Sequence, residues 1–87
     1  MPGIARKDLD AAGGAQRAGG QASVHANGAL VVVLGDPVAG HGEPPHAAPV
    51  MAQASASVFA GGKRVCRADD AASCGHASSG SADVQAG

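Results

Sequence analysis

The chain has no tryptophan and no tyrosine, and its one aromatic of the Phe/Trp/Tyr class is Phe59. Without aromatic platforms, bases have nothing to stack on. Charge of one sign is missing too: six Lys and Arg stand against seven Asp and Glu, a formal charge of −1, so there is no cationic footprint for a phosphate backbone. Nucleic-acid binding is therefore not expected. Long apolar runs are also missing. The longest strongly apolar stretch, Ala29 to Leu34, is far shorter than the roughly 20 residues of a membrane helix. Arg6-Lys7-Asp8 is followed by no signal-peptide apolar segment, so the chain is expected to be made in the cytoplasm without a cleavable export signal. Two cysteines, Cys66 and Cys74, make a poor disulfide scaffold and are expected to be reduced.

Large aliphatic side chains are scarce. Leu, Ile, Val and Phe number 14 of 87 residues, and alanine makes up most of the 45% hydrophobic content. A single domain over residues 1–87 is already small for stabilisation by core burial, and this composition falls below what a self-sufficient core usually carries. The low net charge argues against disorder, so a folded domain needs a staple, either a metal or a partner.

What is present is repetition. "ASVHANGALVVVLGDPVAGHG" (22–42) aligns with "ASVFAGGKRVCRADDAASCGHA" (56–77) at an offset of 34 residues, placing Val24 over Val58, Gly28 over Gly62 and Asp36 over Asp70. A third first half, "GSADVQAG", begins at Gly80, and its second half stands at the other end of the chain. There "MPGIARKD" matches "GKRVCRADD" through Arg6 over Arg67 and Asp8 over Asp70. A circularly broken threefold repeat follows, with residues 3–7 expected to pair antiparallel with residues 82–86.

Each unit reads as a β-hairpin. "ASVHA" and "ASVFA" alternate with strand period, Asn27-Gly28 and Gly61-Gly62 suit tight type I′ turns, and "ALVVVLGD" is a β-branched return strand ended by Gly35-Asp36-Pro37. No segment carries a convincing helix, because "RKDLDAAGGAQRAGGQ" is broken by its glycine pairs. The fold class is all-β.

The chemistry is concentrated at the ends of two units. "GHGEPPH" (40–46) and "SCGH" (73–76) supply His41, His46, Cys74 and His76, three imidazoles and one thiolate. Zinc suits this set, being borderline soft and content with tetrahedral nitrogen and sulfur ligands. Cys74 and His76 are two apart, so an extended segment turns both to one face, and Pro44-Pro45 keeps the first loop non-helical. A single histidine in such a chain reads as a surface residue; four ligands at matching repeat ends read as a metal site. His25, opposite Phe59 in the repeat, reads as a strand residue, and Cys66 as a small apolar filler. Ser23, Ser55, Ser57 and Ser78 to Ser81 read as solvated loop residues.

An enzymatic alternative meets objections. "HGE" (41–43) fits half of the zinc deaminase signature, with Glu43 as general acid and base, but no P-C-x-x-C follows. Four protein ligands would also close the coordination sphere that a catalytic zinc keeps open to water. No phosphate-binding loop is present either. The chain is expected not to be an enzyme.

"MPGIARKD", "GGKRVCRADD", "LGDPVAGHGEPPHAAP" and "SCGHASSGSADVQAG" together resemble the PAAR-repeat (proline-alanine-alanine-arginine) family, which caps the spikes of type VI secretion systems and contractile phage tails. The resemblance implies a small conical, pseudo-threefold domain with one structural zinc near its tip, held by His41, His46, Cys74 and His76. It also implies docking of one cone on a trimeric valine-glycine repeat (VgrG-like) spike protein, which the cone sharpens for membrane puncture and effector delivery. Such a protein leaves the cell with the spike and penetrates membranes transiently without stable insertion; with no extra domain after Gly87, this chain is expected to carry no toxin of its own. An adaptor that docks a separate effector or chaperone onto the spike is the alternative reading. Three departures from the family pattern stand out: its usual Gly-Asp turn is Ala68-Asp69-Asp70 in one unit, only Asp8 occupies that place in the N-terminal piece, and the name motif itself is eroded to "KRVCR" and "ALVVV".

Overall fold

The computed structural model describes residues 2–44 and 46–85. Regular structure is confined to two hairpins. β1 (His25–Ala26) pairs antiparallel with β2 (Ala29–Leu30), and β3 (Phe59–Ala60) pairs in the same way with β4 (Lys63–Arg64). No described residue is helical. Asn27 takes a positive φ of 53° at the first hairpin turn, the conformation that a type I′ turn demands and that Asn tolerates.

The return strands are shorter than the β-branched run suggests. "ALVVVLGD" pairs as a regular strand with its own hairpin only for Ala29–Leu30; Val31 keeps one bond to Val24 while bridging Arg6, and Val33 bridges Val65. The reason lies in a closed ring. The Ala5 N–H donates to the Cys66 carbonyl (3.0 Å), the Cys66 N–H to the Val32 carbonyl (2.8 Å), and the Val32 N–H to the Ala5 carbonyl (3.0 Å). All three residues are fully buried. Each return segment thus satisfies its backbone against the other two, which a two-stranded hairpin alone cannot do.

The same bonding unit recurs around this ring. Ile4, Val31 and Val65 donate to Val84, Val24 and Val58, at 2.8, 3.0 and 2.9 Å. One residue beyond the ring, the N–H groups of Arg6, Val33 and Arg67 donate to the carboxylates of Asp10, Asp36 and Asp70, at 2.9, 2.8 and 2.8 Å. The register expected for the N-terminal piece is thereby corrected: Asp10, not Asp8, is the equivalent of Asp70. Asp8 (φ 60°) and Asp69 (φ 74°) instead take the left-handed place that Gly35 (φ 87°) fills in the first copy. Aspartate tolerates that conformation because its short side chain can bond locally. Leu9 is therefore an inserted residue, invisible to an alignment that allowed no gap.

Burial of the three aspartates is offset by these bonds. Arg6 and Arg67 add side-chain pairs to Asp10 (2.7 Å) and Asp70 (3.0 Å), while Asp36, which has Val33 where the others have arginine, accepts the Gly20 N–H (2.8 Å) instead. Burial pushes the Asp10 carboxyl up, but the hydrogen bonds from Arg6 and Ser79 outweigh it and hold the group below the usual carboxylate range.

The chain ends meet as the repeat requires, over a shorter span than expected. Gly3 bridges Gln85 antiparallel and the Ile4 N–H donates to the Val84 carbonyl (2.8 Å), but Ala5, Arg6 and Lys7 pair with the other two units. Ala86, the last residue of the expected pairing, lies outside the described residues. The serines also need correction. Ser55, Ser78 and Ser81 are buried, and the hydroxyls of Ser55 and Ser81 each accept two backbone N–H groups, as the side-chain oxygen of Gln21 does in the first copy. They are turn-closing acceptors, the role that Ser and Asn chemistry allows in tight turns.

Two apolar clusters fill the interior. One joins Ile4, Ala26, Val31, Val33, Ala60 and Val65; the other joins Ala5, Ala12, Val32, Val38, Met51, Cys66 and Ala72, with Cys74 packed against it. Hairpin residues thus belong to the first cluster and a candidate metal ligand to the second. The molecule is elongated, with extents of 32 × 23 × 22 Å.

Candidate metal centre

Local chain geometry brings the four candidate ligands together. The first loop is closed at its neck by the His41 N–H donating to the His46 carbonyl (2.9 Å) and by the His46 N–H donating to the Glu43 carbonyl (2.7 Å). Pro44 lies within that Glu43–His46 turn, where its fixed φ suits the second turn position; Pro45 lies outside the described residues. The second pair is presented differently from the extended segment expected. Ala72 donates to the His76 carbonyl and Gly75 to the Ala72 carbonyl, both at 2.9 Å, and Gly75 adopts φ 94°. Cys74 and His76 therefore reach the same point from a tight turn, and Gly75 is needed because a side chain at that φ is strained.

The ligand atoms of His41, His46, Cys74 and His76 all lie within 4.8 Å of one another. His41 Nε2 is 3.1 Å from His46 Nδ1 and 3.6 Å from Cys74 Sγ. The three rings face each other with centroids 4.8 to 5.0 Å apart. His41 Nδ1–H donates to the Ala39 carbonyl (3.1 Å), which leaves the Nε2 lone pair directed at the cluster. His41, His46 and Cys74 are half-buried and His76 is exposed. This group could hold a metal ion.

Sequence reasoning did not find two residues that shape the centre. Gly13 and Gly14 belong to the N-terminal unit, which contributes no ligand, and they pack directly against the ligands of the other two. A methyl at Gly13 would overlap His76 Nδ1 and stand 2.7 Å from His41 Nε2; one at Gly14 would overlap the Ala39 carbonyl oxygen and stand 3.0 Å from His41 Nδ1. The available signal was that a glycine pair stands in the ligandless unit where the other two units carry their ligands.

The remaining candidates stay apart. His25 is exposed on β1 and Glu43 is exposed on the first loop. Cys66 is buried in the second cluster and unbonded to Cys74, its thiol facing the Gln53 carbonyl at 3.4 Å. Burial, with the nearby Asp70 and Asp36 charges, pushes the Cys66 thiol up to about 12, so it stays protonated at neutral pH. Alkylation of the folded, chelator-treated chain is accordingly expected to modify Cys74 alone, and loading with metal to protect it. Mass mapping that finds Cys66 modified in the folded chain, or Cys74 equally reactive with metal present, would contradict this assignment.

Fold and site together define a small domain of strands and turns with a candidate three-histidine, one-cysteine metal centre. Compared with protein-family models and with curated proteins, the chain matches none.

Proposed function

We propose that this chain is a non-enzymatic, PAAR-like spike tip: a pseudo-threefold cone that carries one structural zinc and caps a trimeric valine-glycine repeat spike protein. The observation that carries the reading is the recurrence, three times in one chain, of the unit built around the Ala5, Val32 and Cys66 ring. A single chain with three near-equivalent flanks matches the symmetry of a trimer on one shared axis, and docking there would add the burial that the sparse core lacks.

Zinc is supported by the donor set and its spacing. Ligand bonds of 2.0 to 2.3 Å in a tetrahedron put neighbouring nitrogens about 3.3 Å apart and a nitrogen and sulfur about 3.6 Å apart. The 3.1 Å and 3.6 Å separations in this centre fit those edges. With four protein ligands the metal would clamp the 40–48 loop to the 72–76 turn and leave no open position for a catalytic water. Its role is to stiffen the point of a tip that a contracting sheath drives through a membrane. The protein would be cytoplasmic until assembly and leave the cell with the spike.

Mass measurement of the chain mixed with its spike trimer tests the reading. One chain per three spike subunits is expected. A 3:3 complex, or no complex at all, would overturn it; stable capture of an effector or chaperone without the spike would instead favour the adaptor role.

A further inference from the structure

The three flanks of the ring are not chemically alike. In the first copy, the segment before Gln21 closes on the ring: Gly20 donates to Asp36, and a methyl on Gly20 would stand 2.6 Å from both that carboxylate and Val33. In the unit shared by the two chain ends, Gly80 packs against the backbone of Gly3 and Ala68 in the same way. In the second copy the equivalent residue is Ala54, and here the flank stays open. It holds a cleft of about 370 Å³ lined by Ala52, Gln53, Ala54, Arg64, Arg67 and Asp70.

The open flank also differs in charge. Where it has Arg64, the other two have Leu30 and Gly3, as the shared bonds from Ala68, Lys7 and Leu34 show. Where it has Arg67, the others have Val33 and Arg6, and the Nη1 of Arg6 is already committed to Asn27 at 2.9 Å. Arg67 gives its Nε and Nη2 to Asp70, at 3.0 Å each, and Nη2 also meets the Ala54 carbonyl at 3.5 Å. Its Nη1 and the whole Arg64 guanidinium have no hydrogen-bond partner among the described residues. Gln53 is oriented by the Ala71 N–H, which donates to its Oε1 at 3.0 Å, and its Nε2 has no hydrogen-bond partner among the described residues. Two guanidinium groups against one carboxylate leave a single uncompensated positive charge, surrounded by donors and offering no free acceptor side chain other than Asp70, which Arg67 already occupies.

We infer that this cleft is a carboxylate-recognition site for an acidic peptide segment of a partner protein, present on one flank only. One glutamate or aspartate side chain would span the free Arg64 guanidinium and Arg67 Nη1, charge-assisted donors to a carboxylate, with Gln53 Nε2 as the third donor. Because the other two flanks lack both the opening and the second arginine, one chain would hold one such segment. The inference does not depend on the metal or on the spike.

The test is titration of the 87-residue chain with a blocked pentapeptide alternating glycine and glutamate, followed by the side-chain NMR signals of Arg64, Arg67 and Gln53. The glutamate peptide is expected to shift these three signals together, a glutamine counterpart to leave them unmoved, and Arg64→Glu to weaken binding by about tenfold at low salt. Arg64 is exposed, so the fold should survive the substitution; Arg64→Gln, which keeps side-chain length, should also weaken binding. Absence of shifts, equal response to the glutamine peptide, or unchanged binding by both variants would overturn the assignment. Tighter binding of inorganic phosphate than of the glutamate peptide would overturn it too, marking a free-anion site.

Discussion

Removing the metal with a chelator is expected to lower the melting temperature of the purified chain by about 20 °C. A ligand that binds only the folded state at a thousandfold excess over its Kd adds about 4 kcal/mol, and each kcal/mol moves the midpoint of a domain this size by about 4–8 °C. The effect is large here because so little else holds the 40–48 loop and the 72–76 turn together: the described residues between Gly40 and Ala48 are exposed or half-buried, and none of them joins either apolar cluster. Cys74→Ser removes the thiolate and should behave as the stripped protein does. His25→Ala, on an exposed strand position away from the centre, should change neither metal content nor melting. Acidification should release the metal, since the imidazoles and the thiolate must be deprotonated to bind it. Elemental analysis showing no stoichiometric metal, or melting that ignores the chelator, would sink the assignment of His41, His46, Cys74 and His76.

Gly13→Ala is expected to weaken metal binding by about a hundredfold, the upper range for residues that position ligands without touching the metal. The added methyl would occupy the space of His76 Nδ1 and crowd His41 Nε2. Backbone strain must be separated from this overlap, because Gly13 has φ 84°. Gly28→Ala is the control: Gly28 has φ 80° but nothing within 4 Å of an added methyl. Both variants should lose about 1–2 kcal/mol from the left-handed conformation, and only Gly13→Ala should lose metal. Equal metal affinity in the two variants would show that the glycine pair is turn punctuation and nothing more.

Much of this was legible because repetition carries long-range information. Aligning Val24 with Val58 and Gly28 with Gly62 located both hairpins, and the split third unit implied that the two chain ends would pair, as Gly3 and Gln85 do. That His41, His46, Cys74 and His76 would lie together was legible for a different reason: histidine and cysteine are few, so four of them at two repeat ends stand out. Residues that act through space rather than identity were not legible. Leu9 is an insertion that displaced the register of the N-terminal piece, and only the bond from the Arg6 N–H to Asp10 reveals it. Ser55, Ser78 and Ser81 look like solvated loop residues until the ring closes over them.

By itself, then, the order of residues determined the all-β class, the place of the turns, the repeat and the four candidate ligands, since each depends on local backbone preference or on side-chain type. Tertiary structure alone decided that the return segments leave their own hairpins for a shared ring, that Asp8 and Asp69 stand in for glycine, and that Gly13 makes room for imidazoles. It also decided that one flank in three stays open. These outcomes rest on backbone groups satisfying one another across units far apart in sequence, and on space left where a side chain is absent. Neither property is carried by any single residue.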